Sequence, residues 1–227
     1  TLAHVRQRKH ISPSFVRLAL GGLEDLVPRG HDHWCRLFFA REGQDALQLP
    51  TRTSENGWYL QYLATPKVRR PWVRAYTVRE ARPDVGEVDI DFVIHEDDAG
   101  GLGPAAQFAL AANPGDRVGF LDQGIAFTPD HPHDWILLVG DETALPALAG
   151  ISAGLPQTAR GIAIIEVPTA GDRQEFQVPP AMDVRWIHRD EAAGGTDRPG
   201  QLALAALKET APLDGAVHAH LIGESAL

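Results

Sequence analysis

The sequence predicts an antiparallel β-barrel followed by an α/β domain built on a parallel sheet, and three observations carry that prediction. Residues 88–95 alternate: Val88, Ile90, Phe92 and Ile94 share one face, while Asp89, Asp91 and His95 share the other. Period-two alternation is the mark of a half-buried antiparallel strand. Residues 135–140 (WILLVG) are apolar without alternation, as in a strand covered on both faces. Between these segments the chain changes rhythm, from strands separated by glycine and proline joints to strands alternating with helices.

In order, strand patterns fall at 15–20, 34–40, 58–64, 73–79 and 88–95. Gly21-Gly22, Pro28 to Gly30, Pro71 and Pro83 to Gly86 separate them. A helix is expected over 104–112, because Pro104 suits a first turn and Asn113-Pro114-Gly115 stops it. The polar, proline-marked stretch 127–134 joins the halves, giving expected domains of 1–126 and 134–227. In the second half, strands are expected at 135–140, 161–167, 184–188 and 216–222, with helices over about 143–153 and 201–208.

The bulk properties narrow the function. At 227 residues, 44% hydrophobic and 22% charged, the chain is composed like a globular protein, which excludes wholesale disorder. No apolar run approaches the ~20 residues of a membrane helix, so membrane insertion is not expected. The N-terminus has basic residues but no apolar segment after them, unlike a secretory signal. A net charge of −9 argues against nucleic acid, which rewards basic faces. The single cysteine, Cys35, excludes an internal disulfide and fits a cytoplasmic location. A soluble enzyme or binding protein remains.

Three local motifs have chemical content. In Arg74-Ala75-Tyr76-Thr77-Val78-Arg79, strand alternation puts Arg74, Tyr76 and Val78 on one face and Thr77 and Arg79 on the other. A guanidinium can clamp a phosphate, and a tyrosine ring can stack on a flat heterocycle. The same residues also suit a plain amphipathic strand. In the loop from Asp97 to Ala106, glycines allow close backbone approach, and a helix N-terminus offers free amides to a phosphate. A flexible turn entering a helix would look similar, and Asp97 and Asp98 oppose an anion. The third motif, Val139-Gly140-Asp141-Glu142-Thr143-Ala144-Leu145-Pro146, lies where a dinucleotide-binding sheet places its ligand. It is not G-x-G-x-x-G, and Asp141 and Glu142 would repel a pyrophosphate.

Other residues read as background. His31-x-His33-x-Cys35 enters an apolar strand without a second ligand cluster, so no metal is assigned to it. His131-x-His133 and His218-x-His220 read as solvent or core histidines, and Cys35 as a packed thiol. Neither a G-x-S-x-G elbow nor an H-E-x-x-H motif occurs. Lys67-Val68-Arg69-Arg70 is a small basic cluster, readable as a solvated loop or as a rim that attracts anions.

In order and spacing the motifs resemble the bacterial siderophore-interacting proteins, flavin-dependent ferric-siderophore reductases. The resemblance runs through Arg74 to Arg79, Asp91 to His95, Gly103-Pro104-Ala105-Ala106, Pro114-Gly115-Asp116 and Asp122-Gln123-Gly124. It continues through Leu138 to Pro146, Ile165-Glu166-Val167, Trp186 to Arg189 and Gly223-Glu224-Ser225. It implies a ferredoxin-reductase-like pair of domains: a flavin-binding barrel holding FAD, then a nucleotide-binding domain using NADH or NADPH. Arg74, Tyr76, Thr77, Val78 and Arg79 would hold the flavin ring, ribityl chain and phosphates. Asp91 and His95 would border the cofactor; Gly103, Ala105 and Ala106 would give it backbone contacts. Asp141 and Thr143 would lie near its adenine end at the domain junction. Phe108 stands where the family often has tryptophan, and residues 96–102 look longer than usual.

The implied chemistry needs no protein nucleophile, general acid or metal ligand. Siderophores hold ferric iron tightly and ferrous iron weakly, so one electron per iron releases it. A pyridine nucleotide gives two electrons together, and a flavin can pass them on singly. The expected substrate is a ferric siderophore, steered by a rim of Lys67, Arg69, Arg70 and Arg189. A ferredoxin is the second candidate donor. An electron carrier to a protein partner and a flavin-binding module without turnover are the other readings. Glu166, ending the second parallel strand, is expected to favour NADH by binding a ribose hydroxyl and repelling a 2′-phosphate. The chain is also expected to be part of a longer protein, because Gly223-Glu224-Ser225-Ala226-Leu227 reads as a strand handing over to a helix.

Overall fold

The computed structural model describes residues 1–227 apart from 42, 45, 53, 55, 96–99, 193–197 and 224–227. It divides into two compact units. The first comprises Thr1–His10, Val16–Pro28 and Trp34–Gly124; the second comprises Ile11–Phe15, Arg29–His33 and the chain from Ile125 onward.

In the first unit β1 (Leu2–Ser12), β2 (Phe15–Gly21), β3 (Trp34–Phe39), β4 (Trp72–Arg82), β5 (Glu87–Val93) and β6 (Arg117–Gly124) close a barrel in the order β1-β2-β5-β4-β3-β6. Strands β6 and β1 meet through Leu2–Gly119 and Ala3–Val118 pairs, so no long edge is left open. Leu18, Leu20, Leu37, Phe39, Ile90, Phe92 and Val118 fill the interior. Helix α2 (Pro104–Ala111) packs on β3, β4 and β5, with the Phe108 ring 5.0 Å from Phe39.

Two expectations for this half are corrected. Residues 58–64 form a helix, α1 (Gly57–Ala64), not a strand. Their aromatic content imitates strand propensity, but Trp58 and Tyr62 are four apart and meet on one helix face at 6.2 Å. The segment 88–95 is not half-buried either: Asp89 and Asp91 are buried as well, 8% and 4% exposed, because arginines cover them. Strands β1 and β6 were not expected. In β1 only Ala3 and Val5 are buried, and the charged stretch after them hides the period.

In the second unit β7 (Trp135–Gly140), β8 (Arg160–Val167), β9 (Ala181–His188) and β10 (Val217–Ile222) form a parallel sheet in the order β10-β7-β8-β9. Helix α3 (Leu145–Gly154) packs on β7, and α4 (Gln201–Glu209) on β7 and β8. Every residue of β8 after Arg160 is buried, as a strand covered on both faces requires. At the end of β7 a Cβ on Gly140 would sit 2.4 Å from the Ala144 Cβ and 2.9 Å from the Ile222 carbonyl oxygen. Only glycine lets the chain turn there.

Candidate functional site

Strand β4 carries the first motif between β3 and β5. Arg74 is exposed, and among the described residues its guanidinium donates only to the neighbouring Val73 carbonyl, at 2.8 Å. The half-buried Tyr76 ring lies 4.4 Å from Phe92 and 6.5 Å from Phe39, and burial pushes its hydroxyl pKa upward. Val78 is a core side chain, 7% exposed, and offers a ligand only its backbone.

Alternation places Thr77 and Arg79 on the opposite face. Among the described residues the buried Arg79 Nε has no hydrogen-bond partner, and it stands 3.9 Å from an Asp91 oxygen. Burial lowers the Arg79 pKa, with Asp91 opposing. Asp91 receives Arg17 Nε at 2.6 Å and Arg17 Nη2 at 2.8 Å. It is therefore an internal anchor for two arginines, rather than a free group beside a cofactor. Nothing in the local sequence pairs Arg17 with Asp91; the barrel brings them together. His95 is exposed just beyond β5, and residues 96–99 of the following loop lie outside the described residues.

The helix N-termini are not all alike. Helix α2 starts at Gly103 with no side-chain cap and no acid in its first turn. Among the described residues, a Cβ on Gly103 would meet nothing within 4 Å. Ala105 and Ala106 are buried there and put no bulk in front of the amides. This end can take a phosphate.

The second unit is built otherwise. The Asp141 carboxylate, 1% exposed, accepts from the Thr143 amide at 2.8 Å and the Thr143 hydroxyl at 2.6 Å. Glu166, fully buried, accepts from the amides of Gly200 at 3.0 Å and Ala203 at 2.9 Å, at the start of α4. Of these two helix starts, that of α4 is occupied by a carboxylate of the chain, whereas α3, with Ala144 at its N-cap, has no side-chain cap and no acid in its first turn. Between them, an open cavity of about 260 Å3 is lined by Val139, Gly140, Asp141, Leu204 and Ile222.

Two expectations fall here. Glu166 faces the α4 amides and cannot reach a ribose, so it gives no preference for NADH. Arg189 is no part of a basic rim: its guanidinium donates to Glu142 at 2.6 Å and to Glu166 at 2.7 Å, within a triad nearly closed to solvent. Charge neutralisation inside that triad explains how Glu142 and Glu166 can be buried as carboxylates.

Within the remaining cluster, Lys67 and Arg69 are exposed and, among the described residues, have no side-chain partner. Arg70 instead folds back onto the Leu63 and Thr65 carbonyls and over the Tyr62 ring. The two H-x-H motifs meet: the His218 ring lies 5.4 Å from His131 and 5.5 Å from His133. Among the described residues no three metal-ligating side chains are grouped to hold an ion. Cys35 is fully buried, and burial drives its thiol pKa upward.

The barrel's donor set fits FAD: an exposed guanidinium, a partly open tyrosine ring, an arginine nitrogen without a partner and an uncapped helix start. Comparison with known proteins agrees. The siderophore-interacting FAD-binding domain matches residues 4–126, and the siderophore-interacting protein domain matches residues 133–227. The chain is 32% identical over 187 residues to the ferric vibriobactin reductase ViuB of Vibrio cholerae, covering 81% of this chain and 65% of that protein. It is 29% identical over 192 residues to the NADPH-dependent ferric-chelate reductase of Escherichia coli, covering 82% and 70%. A crystal structure of a siderophore utilization protein from T. fusca superposes with a TM-score of 0.81 at 32% identity, over 100% of this chain and 82% of that one. Barrel, parallel sheet and both domain matches lead to one assignment: the chain belongs to the siderophore-interacting protein family.

Proposed function

We propose that this chain is an FAD-dependent reductase of ferric siderophores that works in the cytoplasm. The carrying observation is that the barrel unit offers an anion two donor groups, the uncapped start of α2 and the exposed Arg74 guanidinium. The reductase names of the Vibrio cholerae and Escherichia coli relatives support the same reading. Bound FAD would supply the conversion of a two-electron donor into one-electron deliveries. Arg74 and the α2 amides would hold its phosphates, and Tyr76 and Thr77 would border its ring system. Asp91 would act through Arg79, whose Nε it faces at 3.9 Å. Two ferric ions are reduced for each NADH or NADPH oxidised, and each ferrous ion leaves its chelator.

The donor has a second reading. With Glu166 occupying the start of α4 and the buried Asp141 carboxylate in the turn before α3, a pyridine-nucleotide pyrophosphate would meet negative charge near both helix starts. That favours a reduced ferredoxin beside NAD(P)H as a source of electrons.

Two measurements test the proposal. Arg74→Ala should weaken FAD binding from several-fold to about a hundredfold, since a charged hydrogen bond contributes ~1.5–3 kcal/mol. An unchanged FAD dissociation constant removes Arg74 from the site. Reduced, FAD-loaded protein mixed anaerobically with a ferric siderophore should be reoxidised while a ferrous chelator develops colour. A protein that stays reduced would be a carrier for another partner or a module without turnover.

A further inference from the structure

Helix α1 contributes little to the barrel it sits on. Of its eight residues only Trp58 is buried. Tyr59, Leu60 and Leu63 are 49%, 61% and 43% exposed, and Val68 just beyond them is 79% exposed. Contiguous exposed apolar side chains mark a contact surface.

The surface is also pre-set. Tyr59 and Tyr62 stack at 6.4 Å with their planes 16° apart. The Tyr62 hydroxyl donates to the Pro71 carbonyl at 3.1 Å, and Arg70 covers its ring at 5.3 Å. Rings already held in place lose little freedom when a ligand docks. Around them stand Arg52, Lys67 and Arg69, all exposed. Among the described residues their side chains have no ion-pair partner, in a chain whose net charge is −9.

The face continues towards the flavin motif. Trp58 meets Phe38 edge-on at 5.9 Å. Arg36 lies 4.9 Å from the Trp58 ring and 5.2 Å from Trp34, and the strand partner of Trp34 is Thr77. Phe38 pairs with Val73, so four strand steps, about 13 Å, separate the α1 end of this face from Thr77. A bulky chelate can span that length.

We propose that the exposed face of α1, with Arg52, Lys67 and Arg69, is the substrate platform and selects anionic ferric chelates whose arms end in aromatic rings. This rests on the reductase reading above. The rings of the chelate lie on Tyr59, Leu60 and Leu63, and its negative charge meets the three cations. Other ferric chelates are reduced too, but without this added affinity.

Three ferric hydroxamates with one iron donor set test it on the FAD-loaded chain: tris(acetohydroxamate), tris(benzohydroxamate) and tris(4-carboxybenzohydroxamate). They add first rings, then charge. kcat/KM should rise along the series. Tyr59→Ala and Leu60→Ser should each lower the benzo- to acetohydroxamate ratio about threefold to tenfold, leaving acetohydroxamate turnover and FAD content unchanged. Lys67→Ala with Arg69→Ala should abolish the gain from the carboxylates and its salt dependence. Unchanged ratios in all these variants overturn the platform, as does a change only in self-association or liposome binding. Ultrafiltration of the same chelates reads binding without turnover: ring-dependent binding without reduction would sink the reductase reading and keep the platform. Ring-independent binding would sink the platform alone.

Discussion

Glu166 shows how one buried carboxylate can change what a domain offers a ligand. Its two oxygens receive two amides of α4 and one guanidinium nitrogen, so every strong acceptor direction points inward. Arg189 in turn neutralises Glu142 as well. Arg189→Ala would leave two carboxylates nearly without solvent and without their cation, a loss of about 3–5 kcal/mol. Urea unfolding should show it as a lower midpoint, whereas a solvent-exposed rim arginine would leave the midpoint unchanged. Glu166→Gln keeps shape and one acceptor oxygen and should cost less than Arg189→Ala. A larger loss for Glu166→Gln would mean that capping α4, rather than neutralising charge, dominates the triad.

At the scale of elements, the second unit is fastened by Asp172. This fully buried residue lies in the short turn of helix at Ala170–Asp172 and closes a capping box with Thr169. Its carboxylate also accepts from the Ser12 hydroxyl at 2.7 Å, the Ser14 amide at 2.8 Å and the Ser14 hydroxyl at 3.0 Å. Burial alone would raise its pKa, but these hydrogen bonds and that from Thr169 outweigh burial and hold it below the usual carboxylate value. A depressed folded-state pKa stabilises the protein fully above the unfolded value, near 3.8, and the contribution disappears as pH falls through the folded value. Asp172→Asn should therefore lower stability at neutral pH by about 1–3 kcal/mol. It should also flatten the acid limb of a stability profile below pH 4. An equally steep limb in the variant would assign the acid sensitivity to other carboxylates, with Asp32 the next candidate because its pKa is lowered in a similar way.

At the scale of the molecule, the two units hold anions differently. The barrel leaves the start of α2 without a carboxylate, whereas in the sheet unit Glu166 closes the start of α4 and Asp141 stands in the turn before α3. Because Glu166 cannot read a ribose, little in the described sheet unit tells a 2′-phosphate from a hydroxyl. NADH and NADPH should then support turnover with kcat/KM values within about tenfold of each other, since tenfold corresponds to only ~1.4 kcal/mol of discrimination. Steady-state kinetics with both donors checks this, and a hundredfold preference would require a recognition element beyond the described sheet residues.

Periodicity alone determined the two-part architecture. An alternating strand such as β5 and an apolar one such as β8 differ in how many faces they bury, and burial is written residue by residue. Motif order marked the residues proposed to hold flavin along β4 and at the start of α2, since both lie within short, continuous segments. Long-range pairing was not legible. Arg17 meets Asp91, and Arg189 meets Glu142 and Glu166, only because the strands and turns that carry them are packed together. For the same reason Glu166 and Arg189 looked like ligand-facing charges until the fold placed them inside. The segment 58–64 has an aromatic pattern that suits a strand or a helix, and tertiary contact with Phe38 decided for the helix. Local sequence specifies which faces are apolar; only the packed chain decides which charges those faces bring together, because an ion pair depends on distance in space and not along the chain.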